Sequence, residues 1–459
     1  MPRLARGIRM SGSRRGADPQ RRRDDDLRGI RRHVPYGPSE ARRVRHAEGC
    51  GPVTGRVGRV CRVAAVLVVA AAGQSVPARA AQALPEATTR ASGVVTWAAS
   101  ADRVGGGVAD RGYRLVVRTS VGGGDLRVRL SNAFGDRPLT VDDVHAGLRG
   151  QGAALRAGSN RRLTFGGSRT VTVPAGAAAW SDPLPGSVPA EADLVISLHT
   201  RDAAGPATGH GMAMQTSYIS EGDHTAEEGA ANWTLATGSW WYLDAVSVRP
   251  ARRGTGAVVA LGDSITDGRQ STFDLDRRWP DYLARRLRTA RTGVEGVANE
   301  GISGNAVLTD DAGGQSALHR LDRDVLSLPG VRTVFLFEGV NDLKAHTGVS
   351  ASDLIAGYRE IVRRAHAAGK CVVAATIGPF EGWPEWDPAA EAVRQDLNRF
   401  IRGGGGFDAV ADFDRTLRSP YAPERILPFF DGGDHLHPGD KGMQAMADTV
   451  DLSSLSCGR

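Results

Sequence analysis

Across residues 84–250, apolar and polar positions alternate in short runs broken by Gly, Pro, Asp and Asn. In residues 125–132, Leu126, Val128 and Leu130 fall on one face and Arg127, Arg129 and Ser131 on the other, the period of two expected of a half-buried strand. Residues 113–120, 169–173, 192–199, 212–218 and 240–248 continue the pattern, with no helical stretch between them. Residues 84–253 are therefore expected to form an all-β sandwich or jelly-roll domain.

After Arg252 the rhythm changes. Continuous apolar runs at 257–261, 331–337 and 371–377, and a shorter one near 407–412, read as buried strands. Amphipathic stretches at 279–288, 352–368, 389–401 and 441–450 read as helices. Apolar strands alternating with amphipathic helices predict an α/β domain over residues 254–459, a doubly wound parallel sheet covered on both faces. Ligands in such sheets sit at the carboxyl ends of the strands, so the chemistry is expected in the loops that follow these runs.

Charge changes the picture only at the amino end. The formal net charge of +7 suggests a nucleic-acid or membrane partner, but residues 1–84 hold 18 Lys and Arg against six Asp and Glu, and the remainder holds 40 against 45. The basic excess belongs to a leader, and no nucleic-acid partner is expected. Residues 1–59 are Arg- and Gly-rich without apolar periodicity, a composition that cannot bury enough surface to offset chain entropy. Residues 63–73 form an unbroken apolar run preceded by Arg56, Arg59 and Arg62 and followed by Ala78-Arg79-Ala80 and Ala81-Gln82-Ala83. That order matches a secretory signal, and the run is too short to span a bilayer. Residues 1–83 are read as leader plus signal, the product as secreted and extracellular, with no stable membrane insertion after signal removal. The competing reading is a retained N-terminal anchor. Cys50 and Cys61 precede the mature chain, leaving Cys371 and Cys457 as either a disulfide or two buried thiols.

Four loops of the second half carry candidate chemistry. Gly262-Asp263-Ser264 follows a buried strand and would expose a hydroxyl at the sheet edge, with the next helix directing backbone N–H groups toward developing negative charge. Asp434 and His437 are three residues apart, so the carboxylate can hold one ring nitrogen while the other takes the Ser264 proton. Asn341, within Gly339-Val340-Asn341-Asp342, could aim its amide at an oxyanion, and Gly304, at the end of residues 299–304, could offer a backbone N–H where a side chain would block approach. Each feature alone has an ordinary capping or turn explanation. The rival use of the last loop is a metal site of Asp434, His435, His437 and Asp440, for which no further His or Cys cluster completes a ligand set.

In this order the four motifs resemble the SGNH or GDSL-type hydrolases, over roughly residues 257–450. Ile265-Thr266 stands where the family often has Leu after the serine. The resemblance implies a flavodoxin-like sheet and ester hydrolysis without metal or cofactor, through an acyl-enzyme on Ser264. It further implies His437 and Asp434 as catalytic partners and an oxyanion hole from the Ser264 N–H, the Gly304 N–H and the Asn341 side chain. A β domain ahead of the hydrolase is also similar to a secreted arylesterase or xylan-esterase-like subgroup. The α/β-hydrolase alternative requires Gly-x-Ser-x-Gly, whereas the sequence around Ser264 is Gly-Asp-Ser-Ile-Thr.

The expected substrate is a short-chain acyl ester, small or polysaccharide-borne, with Trp383 and Trp386 in the 380–388 loop as rings that rim the site and stack on sugars. The runner-up enzyme is a GDSL-type lipase or lysophospholipase, and the non-enzyme reading is a glycan-binding protein with an inactive hydrolase domain. Trp233, Trp240, Trp241 and Tyr242 are either a carbohydrate contact surface or, the preferred reading, core filling for the β domain or its seam. His210 and His224 have no ligand-like spacing and receive no role.

Overall fold

The computed structural model describes residues 93–290, 292–344 and 347–456, all within one compact unit, Ala81–Arg459. The leader, the signal-like run and Cys457 lie outside the described residues. Cys371 is disulfide-bonded. Among the described residues no helix is long and apolar enough to cross a membrane.

Up to Pro250 every named element is a strand and every pairing is antiparallel. One sheet joins Val94–Ala98, Leu243–Pro250, Gly123–Ser131 and Ala178–Trp180, with Leu184–Val188 also paired to Gly123–Ser131. A second sheet runs Leu235–Thr237, Ser217–Glu221, Arg111–Arg118, Asp193–Thr200, Leu139–Leu148 and Arg161–Arg162, with Val171–Val173 on Leu139–Leu148. A small third sheet orders Trp240–Trp241, Pro206–His210 and Asp102–Gly106. The expected alternation holds in Gly123–Ser131, where Leu126, Val128 and Leu130 are all buried. The strand expected over residues 212–218 is displaced to Ser217–Glu221, because Met214 takes a left-handed backbone (φ 50°) and the Asp274 carboxylate accepts from Gln215 Nε2 and Thr216 N, holding 214–216 as a loop.

Trp233, Trp240 and Tyr242 are buried. Trp240 packs edge-on to Trp97 with ring centroids 4.8 Å apart and donates to the Val116 carbonyl, while the Arg114 guanidinium lies 4.1 Å over Trp233. Trp241 is half-buried and stacks on Tyr113. The preferred core-filling reading is the one the packing supports, and the contact-surface alternative loses three of its four rings to the interior.

From Gly256 onward a five-stranded parallel sheet runs Val294–Gly301, Gly256–Gly262, Val331–Phe337, Cys371–Ala375, Ala409–Ala411. Numbered by chain order, that is 2-1-3-4-5, the flavodoxin-like order whose switch point lies between the first and third strands. Gly256–Gly262, Val331–Phe337 and Cys371–Ala375 are apolar and buried nearly throughout, as strands covered on both faces must be. The covering helices begin with local start signals. Trp279–Ala290 carries Pro280 in its first turn and buries Trp279, Leu283 and Leu287 at four-residue spacing. Ala351–Ala367 opens on a capping box of Ser350 and Asp353, and Pro388–Arg402 on an Asp387 cap that accepts from Ala390 N. Asp440–Thr449 follows Gly439 and turns Met443 and Met446 inward.

The sequence pattern misses one strand, Val294–Gly301, although this strand leads into the Gly304 loop. Its Gly296, Asn299 and Glu300 break the apolar run, which is tolerated because it is the end strand of the parallel sheet and the antiparallel part covers it. There Ser120 Oγ donates to the Val297 carbonyl at 3.1 Å and accepts from Val297 N at 2.9 Å, and Val95 N donates to the Pro329 carbonyl at 2.9 Å. A side chain at Gly296 would run into the Val95 carbonyl.

Candidate active site

The Gly256–Gly262 strand delivers Ser264 to the first position of a one-turn helix, Ser264–Asp267. The turn is tight: a Cβ at Gly262 would collide with the Thr266 side chain and the Phe337 carbonyl. The Asp263 side chain accepts from Ile265 N at 2.9 Å and caps the helix. Asp263 is nearly fully buried, and burial pushes its carboxyl up to about 7.

Ser264 Oγ lies 2.8 Å from His437 Nε2, across 173 residues of chain. The other ring nitrogen, Nδ1, is 2.8 Å from Asp434 Oδ2, and the partner oxygen Oδ1 accepts from His437 N at 2.8 Å and Leu436 N at 3.1 Å. Burial works against the carboxylate, but hydrogen bonds from His437 and Gln270 hold Asp434 well below the usual carboxylate range. An ionised Asp434 fixes the Nδ1–H tautomer and leaves Nε2 as the acceptor facing the hydroxyl. Such a chain can draw a proton from Ser264 as its oxygen attacks an electrophile and stabilise the imidazolium that results.

The other two motif loops leave adjacent strands of the same sheet edge. Gly262 pairs in register with Gly301 on one side and Phe337 on the other, so Ser264, Gly304 and Asn341 all follow the carboxyl ends of neighbouring strands. Asn341 Nδ2 donates one hydrogen to the Asn305 carbonyl at 2.7 Å, tying the two loops together, and its second amide hydrogen remains for a ligand oxygen. Gly304 has φ +85°, a left-handed backbone that a larger residue would enter under strain. Asn299 Nδ2 donates to the Thr266 carbonyl at 2.7 Å, fastening the Ser264 helix to its neighbouring strand.

Sequence reasoning missed the residue that gathers these loops. Arg320, fully buried, donates to the carbonyls of Gly262 (3.0 Å) and Glu300 (2.7 Å), to Asn305 Oδ1 (2.9 Å), to Ser100 Oγ (2.6 Å) and to Glu338 Oε2 (3.3 Å). Its five donors are thus spread over the loops that carry Ser264, Gly304 and Asn341 and over the antiparallel part. Burial drives Glu300 and Glu338 well above the ordinary carboxylate range. The signal was available as an Arg within the apolar-flanked helix Ala317–Arg320, but which groups it would meet depended on the fold.

Of the two loop tryptophans, Trp383 meets the site: its ring lies edge-on to His437 with centroids 5.7 Å apart, and Lys344 Nζ stands 5.7 Å over its centroid. Both rings are half-buried against the core. The rival metal set does not assemble. His435 pairs with Asp431 at 2.7 Å, Asp440 accepts from Thr272 and Arg277, and among the described residues no group of three or more His, Cys, Asp or Glu is placed to hold an ion. His224 pairs with Glu227 at 2.8 Å on the surface.

Residues 260–445 match the model of the GDSL-like lipase/acylhydrolase family. This part of the chain is a GDSL-like acylhydrolase domain. The match covers the first motif through the last, and it places the protein among the carboxylic ester hydrolases. Solved structures similar to part of the chain include the M. smegmatis aryl esterase, at 18% identity, 44% of this chain and 100% of that one, TM-score 0.36. A carbohydrate acetylesterase family member from Sinorhizobium meliloti matches at 17% identity over 42% of this chain and 95% of its own, TM-score 0.34. A member of the lipolytic G-D-S-L family from Veillonella parvula matches at 19% identity over 42% and 96%, TM-score 0.34. A search of the curated proteins returned no match.

Proposed function

We propose that this GDSL-like acylhydrolase is a secreted serine esterase that removes short acyl groups, acetyl groups on carbohydrate among them, through an acyl-enzyme on Ser264. The observation that carries the reading is the 2.8 Å contact between Ser264 Oγ and His437 Nε2, backed by Asp434 at 2.8 Å from the other ring nitrogen. Ser264 Oγ attacks the ester carbonyl as His437 takes its proton. The tetrahedral oxyanion is met by the N–H groups of Ser264 and Gly304 and the Asn341 amide. His437 then returns the proton to the departing alcohol, and water repeats the sequence in reverse to release the acid.

Trp383 beside His437 supports a sugar-bearing alcohol, since an aromatic face at the mouth of the site suits the apolar side of a pyranose. The signal-like run and the disulfide at Cys371 support export to an oxidising compartment. The antiparallel part, read as a sandwich of the five- and seven-stranded sheets, serves here as the wall against which the hydrolase part is built. Ser264→Ala should reduce turnover of a short-chain nitrophenyl ester to near background while leaving the fold intact. Undiminished activity in that variant rejects the assignment, and faster release of long-chain fatty acids than of acetate from acetylated xylan would favour a lipase.

A further inference from the structure

His210 ends the Pro206–His210 strand of the antiparallel part, nearly fully buried, and both of its ring nitrogens face acceptors. Nδ1 is 3.0 Å from the Ser100 carbonyl oxygen, and Nε2 is 2.9 Å from Asp267 Oδ1. A carbonyl oxygen can only accept, so Nδ1 carries a hydrogen. The second oxygen of Asp267 accepts from both the backbone N–H and the hydroxyl of Ser303, each at 3.0 Å, so those donors are spent on Oδ2 and a hydrogen on Nε2 is what bonds Oδ1. Asp267 closes the one-turn helix that Ser264 opens, and Ser303 immediately precedes Gly304.

We propose that His210 and Asp267 form a buried imidazolium–carboxylate pair through which the antiparallel part positions the Gly304 N–H against Ser264, which makes both positioning residues for the esterase. The inference rests on the reading of Gly304 as an oxyanion donor. Around the pair stand the Trp240 ring, 5.6 Å from the His210 ring, and beyond it the Arg278 guanidinium, 5.9 Å from a Trp240 centroid. Burial disfavours the charged ring, but the Asp267 carboxylate outweighs it and His210 is raised above the ordinary imidazole range. The same carboxylate thus takes three donors, one from a strand outside the hydrolase part and two from the loop that must present the Gly304 N–H. Without the ring, the opposite charge left to balance Asp267 among the described residues is the more distant Arg278.

The test uses the full chain and a nitrophenyl acetate assay. His210→Ala and Asp267→Asn, each checked for native circular dichroism, should lower kcat by about ten- to a hundredfold with KM changed less than about twofold, the pattern of a misplaced oxyanion donor. His210→Gln, which keeps one donor for Asp267, should recover part of the loss. Proton–nitrogen correlation spectra of the wild type near neutral pH should show hydrogens on both His210 ring nitrogens. Unchanged kcat in folded His210→Ala, or a singly protonated ring, overturns the inference. Should the variants fail to fold, the wild-type spectrum decides. A wild type without esterase activity would instead overturn the functional reading and, with it, the role given to the pair.

Discussion

Gln270 Nε2 donates at 3.0 Å to Asp434 Oδ2, the same oxygen that faces His437 Nδ1 at 2.8 Å. Gln270 stands in the loop that leaves the Ser264 helix, with φ +68°, so the segment that begins beside the hydroxyl returns to brace the carboxylate. Two residues on, Thr272 donates from its N–H and hydroxyl to Asp440, fastening the same loop to the helix after His437. Gln270→Ala should lower kcat about two- to tenfold with little change in KM, the range for losing one ordinary hydrogen bond of about 0.5–1.5 kcal/mol net. Gln270→Glu should be more damaging, because it puts like charge beside Asp434. Steady-state kinetics on one ester checks both.

Asn341→Ala should reduce kcat about ten- to a thousandfold if the amide meets the oxyanion. The side chain also ties its loop to the Asn305 carbonyl, so a thermal melt should accompany the kinetics. An effect confined to KM would make Asn341 a substrate-positioning group instead.

Stability should fall as pH rises from about 4 to about 7. Burial raises Asp263 to about 7 and Asp342 to about 6, so the folded protein holds protons that the unfolded chain releases near its ordinary carboxylate range. The sign follows directly: the folded state binds more protons in that window, and rising pH favours unfolding. Asp434, held low, acts the other way only in stronger acid. Calorimetric Tm at pH 5.5 should exceed that at pH 7.5, and Asp263→Asn, which keeps a cap for Ile265 N, should shrink the difference.

Trp383→Ala should raise KM for acetylated xylan several-fold more than KM for a nitrophenyl acetate, since only the polysaccharide would use an aromatic face at the rim. Equal effects on both substrates would assign the ring to supporting His437 rather than to sugar.

Much of the hydrolase part was legible because its signals are local. Val331–Phe337 is apolar at nearly every position, and the amphipathic runs at 352–368 and 389–401 are equally local patterns, so those elements fall within a residue or two of expectation. The pairing of Asp434 with His437 was readable too, since three residues of chain limit where the two groups can go. Val294–Gly301 was not, because its place is secured by Ser120 and by its neighbouring strand rather than by its own apolar content.

By itself, then, the sequence determined most of the alternation of strand and helix and the closeness of Asp434 to His437, which depend on neighbours a few positions apart. Only the tertiary structure decided that Arg320 gathers the loops of Ser264, Gly304 and Asn341, that Trp240 and Tyr242 belong to the interior, and that His210 reaches Asp267. Those partners lie tens to hundreds of residues apart, and a charged group inside a protein takes its meaning from whichever opposite charge or acceptor the folded chain brings against it.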